Sequence, residues 1–171
     1  AEGLFISPVI GSKKSGDFLA EIILKSYQMT IDKKIYPDNS VMLGGFNTYS
    51  RYSGPREAVF TAICRKNFGC SHFIVGRDHT GTEGFYKEDE NKKYFEELGD
   101  LGIKPIFFDK VGFDLSKKKF TSKVGRGVRE ISGSEIRNAI KNHKRLPNWY
   151  MREDIQEMIL SRIKKGKKIF Y

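Results

Sequence analysis

The stretch His72-Phe73-Ile74-Val75-Gly76-Arg77-Asp78-His79-Thr80-Gly81 decides how the chain is read. Its first half, closed by Gly76, predicts a compact buried strand. Its second half places four polar or charged side chains and two glycines at that strand's carboxyl end, which is costly for stability alone. Glycines let backbone N–H groups approach an anion, Arg77 can fork onto phosphate or sulfate, and His79 can donate to an oxygen. Composition alone slightly favours an ordinary surface turn with an Arg–Asp pair.

Outward from this strand the pattern alternates. Leu4 to Val9 is a short apolar run, followed by the polar, glycine-bearing loop Gly11–Asp17. Asp17 is expected to cap a helix with Leu19, Ile22, Ile23, Ser26 and Tyr27 on one face. Val41 to Phe46 reads as strand. Pro55 suits a first helical turn, with Ala58, Val59, Ala62 and Ile63 on one face and Gly69 as the stop. Lys92 to Leu98 is a weaker helix, Lys104 to Phe108 a strand, and Val128 to Ile131 a last short strand. Ser132 and Glu135 form a capping box at the start of a helix running to Asn142. The final helix, Arg152 to Lys165, turns Ile155, Met158, Ile159 and Ile163 inward and ends at Gly166. This alternation predicts an α/β fold with a mainly parallel sheet, whose ligands bind at the carboxyl ends of strands. The loops after Val9, Phe46, Gly76 and Phe108 are the places to look.

The 171 residues suit one compact domain, and thirteen Phe with eight Tyr argue against disorder. No apolar run approaches the ~20 residues a membrane span needs, and no secretory signal is evident. The chain opens on Ala1, as a processed chain or one entered partway through a larger protein would. Cys64 and Cys70 are expected as reduced thiols in a cytosolic protein. Net charge is +10, which asks for an anionic partner. Lys117–Lys119 and the basic tail from Arg162 to Lys168 read as a solvated loop and a helix end, without the alternating aromatics of a base-stacking platform. Nucleic acid is therefore disfavoured, and a small polyanion such as a nucleotide stays open.

Two further segments carry chemistry. Ser132-Gly133-Ser134-Glu135-Ile136-Arg137 opens a helix with N–H groups and hydroxyls, and Arg137 lies one turn in, as a phosphate seat requires. A helix that is merely capped would look the same. Gly54-Pro55-Arg56-Glu57 is another helix start, better read as turn glycines beside an exposed arginine. His72 belongs to a strand and His143 to a basic loop; neither has metal-ligand spacing, so no metal site is assigned.

Taken together these segments resemble ATP sulfurylase (sulfate adenylyltransferase), in its catalytic nucleotidyltransferase domain. The resemblance runs from near residue 6 to residue 160. SPVIGSKKSGD is similar to the family's HPxxGxxKxGD. Tyr52–Ala58 and Arg65–His79 follow AGPREA…RKNYGxxHFIVGRDHAG almost letter for letter. Ile131–Arg137 resembles ISGTEIR, and Leu146–Tyr150 resembles IPEWF. The resemblance implies a Rossmann-like nucleotidyltransferase fold and adenylyl transfer from MgATP to sulfate, giving adenosine 5′-phosphosulfate and pyrophosphate. It implies ATP contacts at Gly76, Arg77, Asp78 and His79. Thr80 stands where the family has a sulfate-contacting Ala. Phe108-Asp109-Lys110-Val111 matches FRMV, which implies that Val111 touches ATP and that Phe108 responds to nucleotide. Ser132, Gly133, Ser134 and Arg137 are candidate phosphate contacts.

The family's first motif, Q-T/S-R-N-P-x-H-R-x-H, and its β-rich N-terminal domain have no counterpart in the 171 residues. That motif supplies sulfate ligands and the two histidines that stabilise leaving pyrophosphate. Catalytic residues are therefore unassigned, and the chain by itself is expected to be inactive, an N-terminally incomplete catalytic domain of a cytoplasmic enzyme. A homo-oligomer stays open. The alternatives are a nucleotide-binding homologue that is inactive or uses another acceptor, and a basic nucleic-acid-binding module.

Overall fold

The computed structural model describes residues 2–76, 86–87, 89–108, 111–122 and 125–171. Its contacts divide into two compact units, Ser50–Val111 and a second made of Glu2–Tyr49 with Gly112–Tyr171.

The Ser50–Val111 unit is built on a β-α-β crossover. Helix α2 (Pro55–Asn67) leads into strand β3 (His72–Val75), helix α3 (Glu90–Leu98) and strand β4 (Lys104–Phe107). Strands β3 and β4 pair in parallel, His72 opposite Lys104 and Val75 opposite Phe107. Ala58, Val59 and Ala62 of α2 pack with Phe73, Val75, Phe95 and Ile103 as one apolar cluster. The inward face of α2 is Ala58, Thr61, Ala62 and Arg65, spaced at i, i+3, i+4 and i+7. Ile63 lies off that stripe and is exposed, contrary to the sequence reading. Ile74 is likewise half-exposed, so β3 is buried on one face rather than on both.

The second unit has a short parallel pair, β1 (Leu4–Ile6) with β2 (Val41–Leu43), extended by a parallel bridge between Val9 and Phe46. Between the two strands runs α1 (Ala20–Asp32), which starts two residues later than a cap at Asp17 would give. Tertiary pairing explains the delay. The Tyr171 N–H donates to the Asp17 carbonyl, the Leu19 N–H donates to the Ile169 carbonyl, and Phe18 bridges Phe170 antiparallel. Asp17–Leu19 is thereby held extended.

A three-stranded antiparallel sheet, in the order β6-β5-β7, is the part the sequence reading missed. Its strands are β5 (Gly112–Asp114), β6 (Lys119–Thr121) and β7 (Val128–Glu130). The expected last strand is thus present, but it pairs antiparallel with β5. The Lys117–Lys119 run turns the hairpin, and the Asp114 carboxylate accepts from the N–H groups of Ser116 and Lys117. Strands of three residues are too short to display a period of two.

Helices α4 (Gly133–Lys141) and α5 (Glu153–Lys164) complete this unit. Ile22, Ile140, Ile155, Ile159, Leu160 and Ile169 form its apolar cluster. The architecture is mixed α/β, and no helix among the described residues is long and apolar enough to cross a membrane.

Buried Gln156 holds the segment between α4 and α5. Its amide oxygen accepts from the Leu146 N–H at 2.7 Å, and its nitrogen donates to the carbonyls of Leu146 and Met151. Gln156→Leu strands all three backbone groups and should lower stability by roughly 2–3 kcal/mol. Met158→Leu on the same helix should cost less than about 1.5 kcal/mol. Urea unfolding midpoints of the two variants provide the comparison.

Candidate nucleotide and anion site

Parallel pairing of β3 and β4 sets two sequence-identified segments side by side. Val75 is in register with Phe107, so Gly76 and Phe108 leave the sheet at the same carboxyl end, the ligand-binding end of such a pair. Gly76, Phe108 and Val111 are all exposed there. Arg77, Asp78, His79 and Thr80, with Asp109 and Lys110, lie outside the described residues.

In the other unit the structure joins two segments that the sequence treats separately. The loop Gly11–Asp17 meets the first turn of α4 where Arg137 approaches the Asp17 carboxylate at 3.8 Å. Arg137 also donates to the Ser134 hydroxyl at 3.2 Å, and its guanidinium stands 3.2 Å from where a Cβ on Gly133 would sit. The guanidinium therefore folds back over the start of its own helix. Gly11 is required by close approach: a Cβ there would stand 2.2 Å from the Thr48 carbonyl oxygen. Burial holds the Lys13 ammonium below the usual lysine range, while the Asp17 carboxylate opposes that shift. Lys141 reaches the same loop, 3.3 Å from a Cβ placed on Gly16. Three cations, Lys13, Arg137 and Lys141, thus gather at this loop beside the Asp17 carboxylate.

The capping box at Ser132 forms only in part. The Ser132 hydroxyl accepts from the Glu135 N–H at 3.4 Å, but the return arm is missing. The Ser132 N–H donates to the Tyr150 hydroxyl at 2.8 Å, which in turn donates to Glu135 at 2.6 Å. The second Glu135 oxygen is paired with Arg129 of β7. The Tyr150 hydroxyl first, then Arg129, hold the Glu135 carboxyl below the usual carboxylate range. Burial, then Glu135, push the Tyr150 phenol up. Sequence reasoning identified Ser132 and Glu135 but not Tyr150 or Arg129; the aromatic LPNWY stretch was the available signal.

The start of α2 contrasts with this. Glu57 is buried, and its carboxylate accepts from the backbone N–H groups of Arg51 and Ser53, while Arg56 is exposed. The Glu57 carboxylate is thus engaged by the backbone just before its own helix, and the exposed Arg56 is what the reading of turn glycines beside an exposed arginine expects. His72 is half-buried with its Nδ1 2.9 Å from the Ser71 hydroxyl, and His143 is exposed. Among the described residues no group of three His, Cys, Asp or Glu side chains could hold a metal.

The family model for ATP-sulfurylase matches residues 1–162. The chain belongs to the ATP-sulfurylase family. It is 44% identical over 172 aligned positions to the sulfate adenylyltransferase of Staphylothermus marinus, covering 94% of this chain and 43% of that protein. The sulfate adenylyltransferases of Cenarchaeum symbiosum and Pyrococcus abyssi are 39% and 41% identical, over 93% and 94% of this chain and 43% of each relative. The chain thus spans less than half the length of these relatives. Among solved structures, a hexameric APS kinase from Thiobacillus denitrificans shares the fold at a TM-score of 0.65 and 16% identity. That likeness covers 96% of this chain and 31% of the other.

Three carboxylates of this unit are held below the usual carboxylate range. Glu135 is held low by Tyr150 and Arg129, Asp154 by Lys33, and Asp114 by Ser116 and the Lys117 N–H. A carboxyl whose folded pKa is depressed contributes its stabilisation in full above its unfolded pKa, near 4. That contribution is lost as pH falls through the lower folded value. Thermal midpoints should therefore owe no change to these groups between about pH 7 and 5, and should fall below about pH 4. Glu135→Gln should make the acid limb shallower in scanning calorimetry.

Proposed function

We propose that this chain supplies the nucleotide-gripping part of a sulfate adenylyltransferase. A sulfate oxygen attacks the α-phosphorus of MgATP, the bond to the bridging oxygen breaks, and adenosine 5′-phosphosulfate and pyrophosphate leave. Magnesium arrives with ATP as part of the substrate. The observation that carries the reading is the family match over residues 1–162, which includes every segment singled out for nucleotide contact.

In this reading residues 1–171 form one catalytic domain of Rossmann-like nucleotidyltransferase type with a mainly parallel sheet. Gly76, Arg77, Asp78, His79 and Val111 hold ATP, and Thr80 meets sulfate. Support for the first group is the common carboxyl end from which Gly76 and Phe108 emerge. Ser132, Gly133, Ser134 and Arg137 hold phosphate, supported by the gathering of Lys13, Arg137 and Lys141 at one loop. An anion there gains from the helix N-terminus and from charge-assisted hydrogen bonds together. The groups that offset charge on leaving pyrophosphate belong to a segment with the QTRNPxHRAH pattern. The enzyme works in the cytoplasm, without a membrane or nucleic-acid partner, and a homo-oligomer fits it.

Arg77→Ala should weaken ATP binding by roughly 1.5–3 kcal/mol, the scale of a lost hydrogen bond to a charged group. Isothermal titration measures it, and unchanged affinity would overturn the ATP assignment. For turnover, the 171 residues alone should release no pyrophosphate from ATP in the presence of sulfate. Joined to a segment carrying the QTRNPxHRAH pattern, they should release it in a sulfate- and Mg²⁺-dependent manner. One lost preorganised donor costs about 10²–10³ in rate. Robust turnover by the short chain would move the catalytic groups to residues within it.

A further inference from the structure

The return arm of the α4 capping box runs through a side chain from another element. In an ordinary capping box the glutamate at the third helical position bonds the N-cap N–H directly, and its carboxylate then sits on the helix N-terminus. Such a carboxylate stabilises the helix through the macrodipole, but it repels any phosphate drawn to the same N–H groups. Here both Glu135 oxygens are engaged elsewhere, one by the Tyr150 hydroxyl at 2.6 Å and the other by Arg129. The Ser132 N–H is satisfied at 2.8 Å by a neutral phenol.

We infer that Tyr150 is a positioning residue for the phosphate seat at the start of α4, its hydroxyl satisfying the N-cap while holding the Glu135 carboxylate off the first turn. The inference rests on the phosphate reading proposed above.

Tyr150 can do this because it is fixed from several sides. Its ring is buried and lies 5.2 Å from the Trp149 ring. Trp149 is stacked on Phe113 of β5, with centroids 4.4 Å apart and planes within 6°. The Arg129 guanidinium lies 5.9 Å from the Tyr150 ring centre, so the cation that neutralises Glu135 also borders the phenol. The antiparallel sheet thereby acquires a role: β5 anchors the aromatic pair, and β7 delivers the arginine. The depressed Glu135 carboxyl accords with this, since a paired carboxylate away from competing anions stays ionised.

The test titrates inorganic pyrophosphate into the full 171-residue chain as wild type, Tyr150→Phe and Tyr150→Phe/Glu135→Gln. Tyr150→Phe keeps the ring and the packing but lets Glu135 swing onto the Ser132 N–H. Its Kd for pyrophosphate should rise about three- to tenfold, the scale of one charge placed at a helix N-terminus. The double variant, whose glutamine can complete the cap without charge, should return to within about twofold of wild type. A hydroxyl that merely stabilises α4 would give a double variant as weak as the single one, and that result overturns the inference.

A second readout is independent of anion binding. The Ser132 amide proton should move downfield in Tyr150→Phe, as its bond shortens onto a carboxylate, and move back in the double variant. An unmoved resonance overturns the relay. A wild-type chain that binds no pyrophosphate overturns the phosphate reading, whichever way Ser132 behaves.

Discussion

Asp17 is the residue on which the second unit turns. Its carbonyl accepts from Tyr171, its carboxylate faces Arg137 at 3.8 Å, and its neighbours Gly16 and Leu19 exchange backbone hydrogen bonds with Tyr171 and Ile169. The ion pair alone is long and partly exposed, and pairs of that kind contribute at most about 1 kcal/mol. What makes the corner firm is the backbone pairing and the apolar cluster behind it, where Ile169 packs with Ile22, Ile140 and Ile159. The electrostatic pair then orients Arg137 rather than holding the fold. A loop with two lysines and two glycines would otherwise have little reason to stay in one conformation.

Among the described residues two helix starts carry a glutamate at the third position, and they have opposite fates. Glu57 turns back onto the N–H groups of Arg51 and Ser53 and closes the mouth of α2 with a buried carboxylate. Glu135 is drawn outward by Tyr150 and Arg129, which leaves α4 capped by hydroxyls and bordered by cations. The same residue type at the same position is therefore turned back onto the backbone before one helix and drawn away from the N-cap of the other. The partner supplied from outside the helix decides between them.

Charge follows the same logic. A net +10 is spread over solvated lysines and over arginines already paired with acids, such as Arg145 with Glu153 and Glu157. Beside Asp17 three of these cations, Lys13, Arg137 and Lys141, gather at one loop. That loop belongs to the chain segments that match the ATP-sulfurylase family.

The strand–helix order, the start of α2 at Pro55, the register-bearing strands β3 and β4, and the Ser132 cap were legible in the amino-acid sequence. Each rests on interactions between residues a few positions apart: proline's fixed φ, an apolar run ended by glycine, a hydroxyl three residues from an N–H. Gly76 and the Ser132–Arg137 turn could be singled out for the same reason, whereas Val111 was marked only by its resemblance to the family's FRMV stretch. The start of α1 could not, because a strand bridge to residues 169–171 overrides the local cap at Asp17. The inward face of α2, rotated past Ile63 onto Thr61 and Arg65, was set by what packs against it. The antiparallel sheet was hidden by strands of three residues, too short for periodicity to speak. The Tyr150 relay joins residues 15 and 18 positions apart. No local pattern encodes it, and it exists only because a stacked tryptophan and a distant arginine bring the phenol to the N-cap.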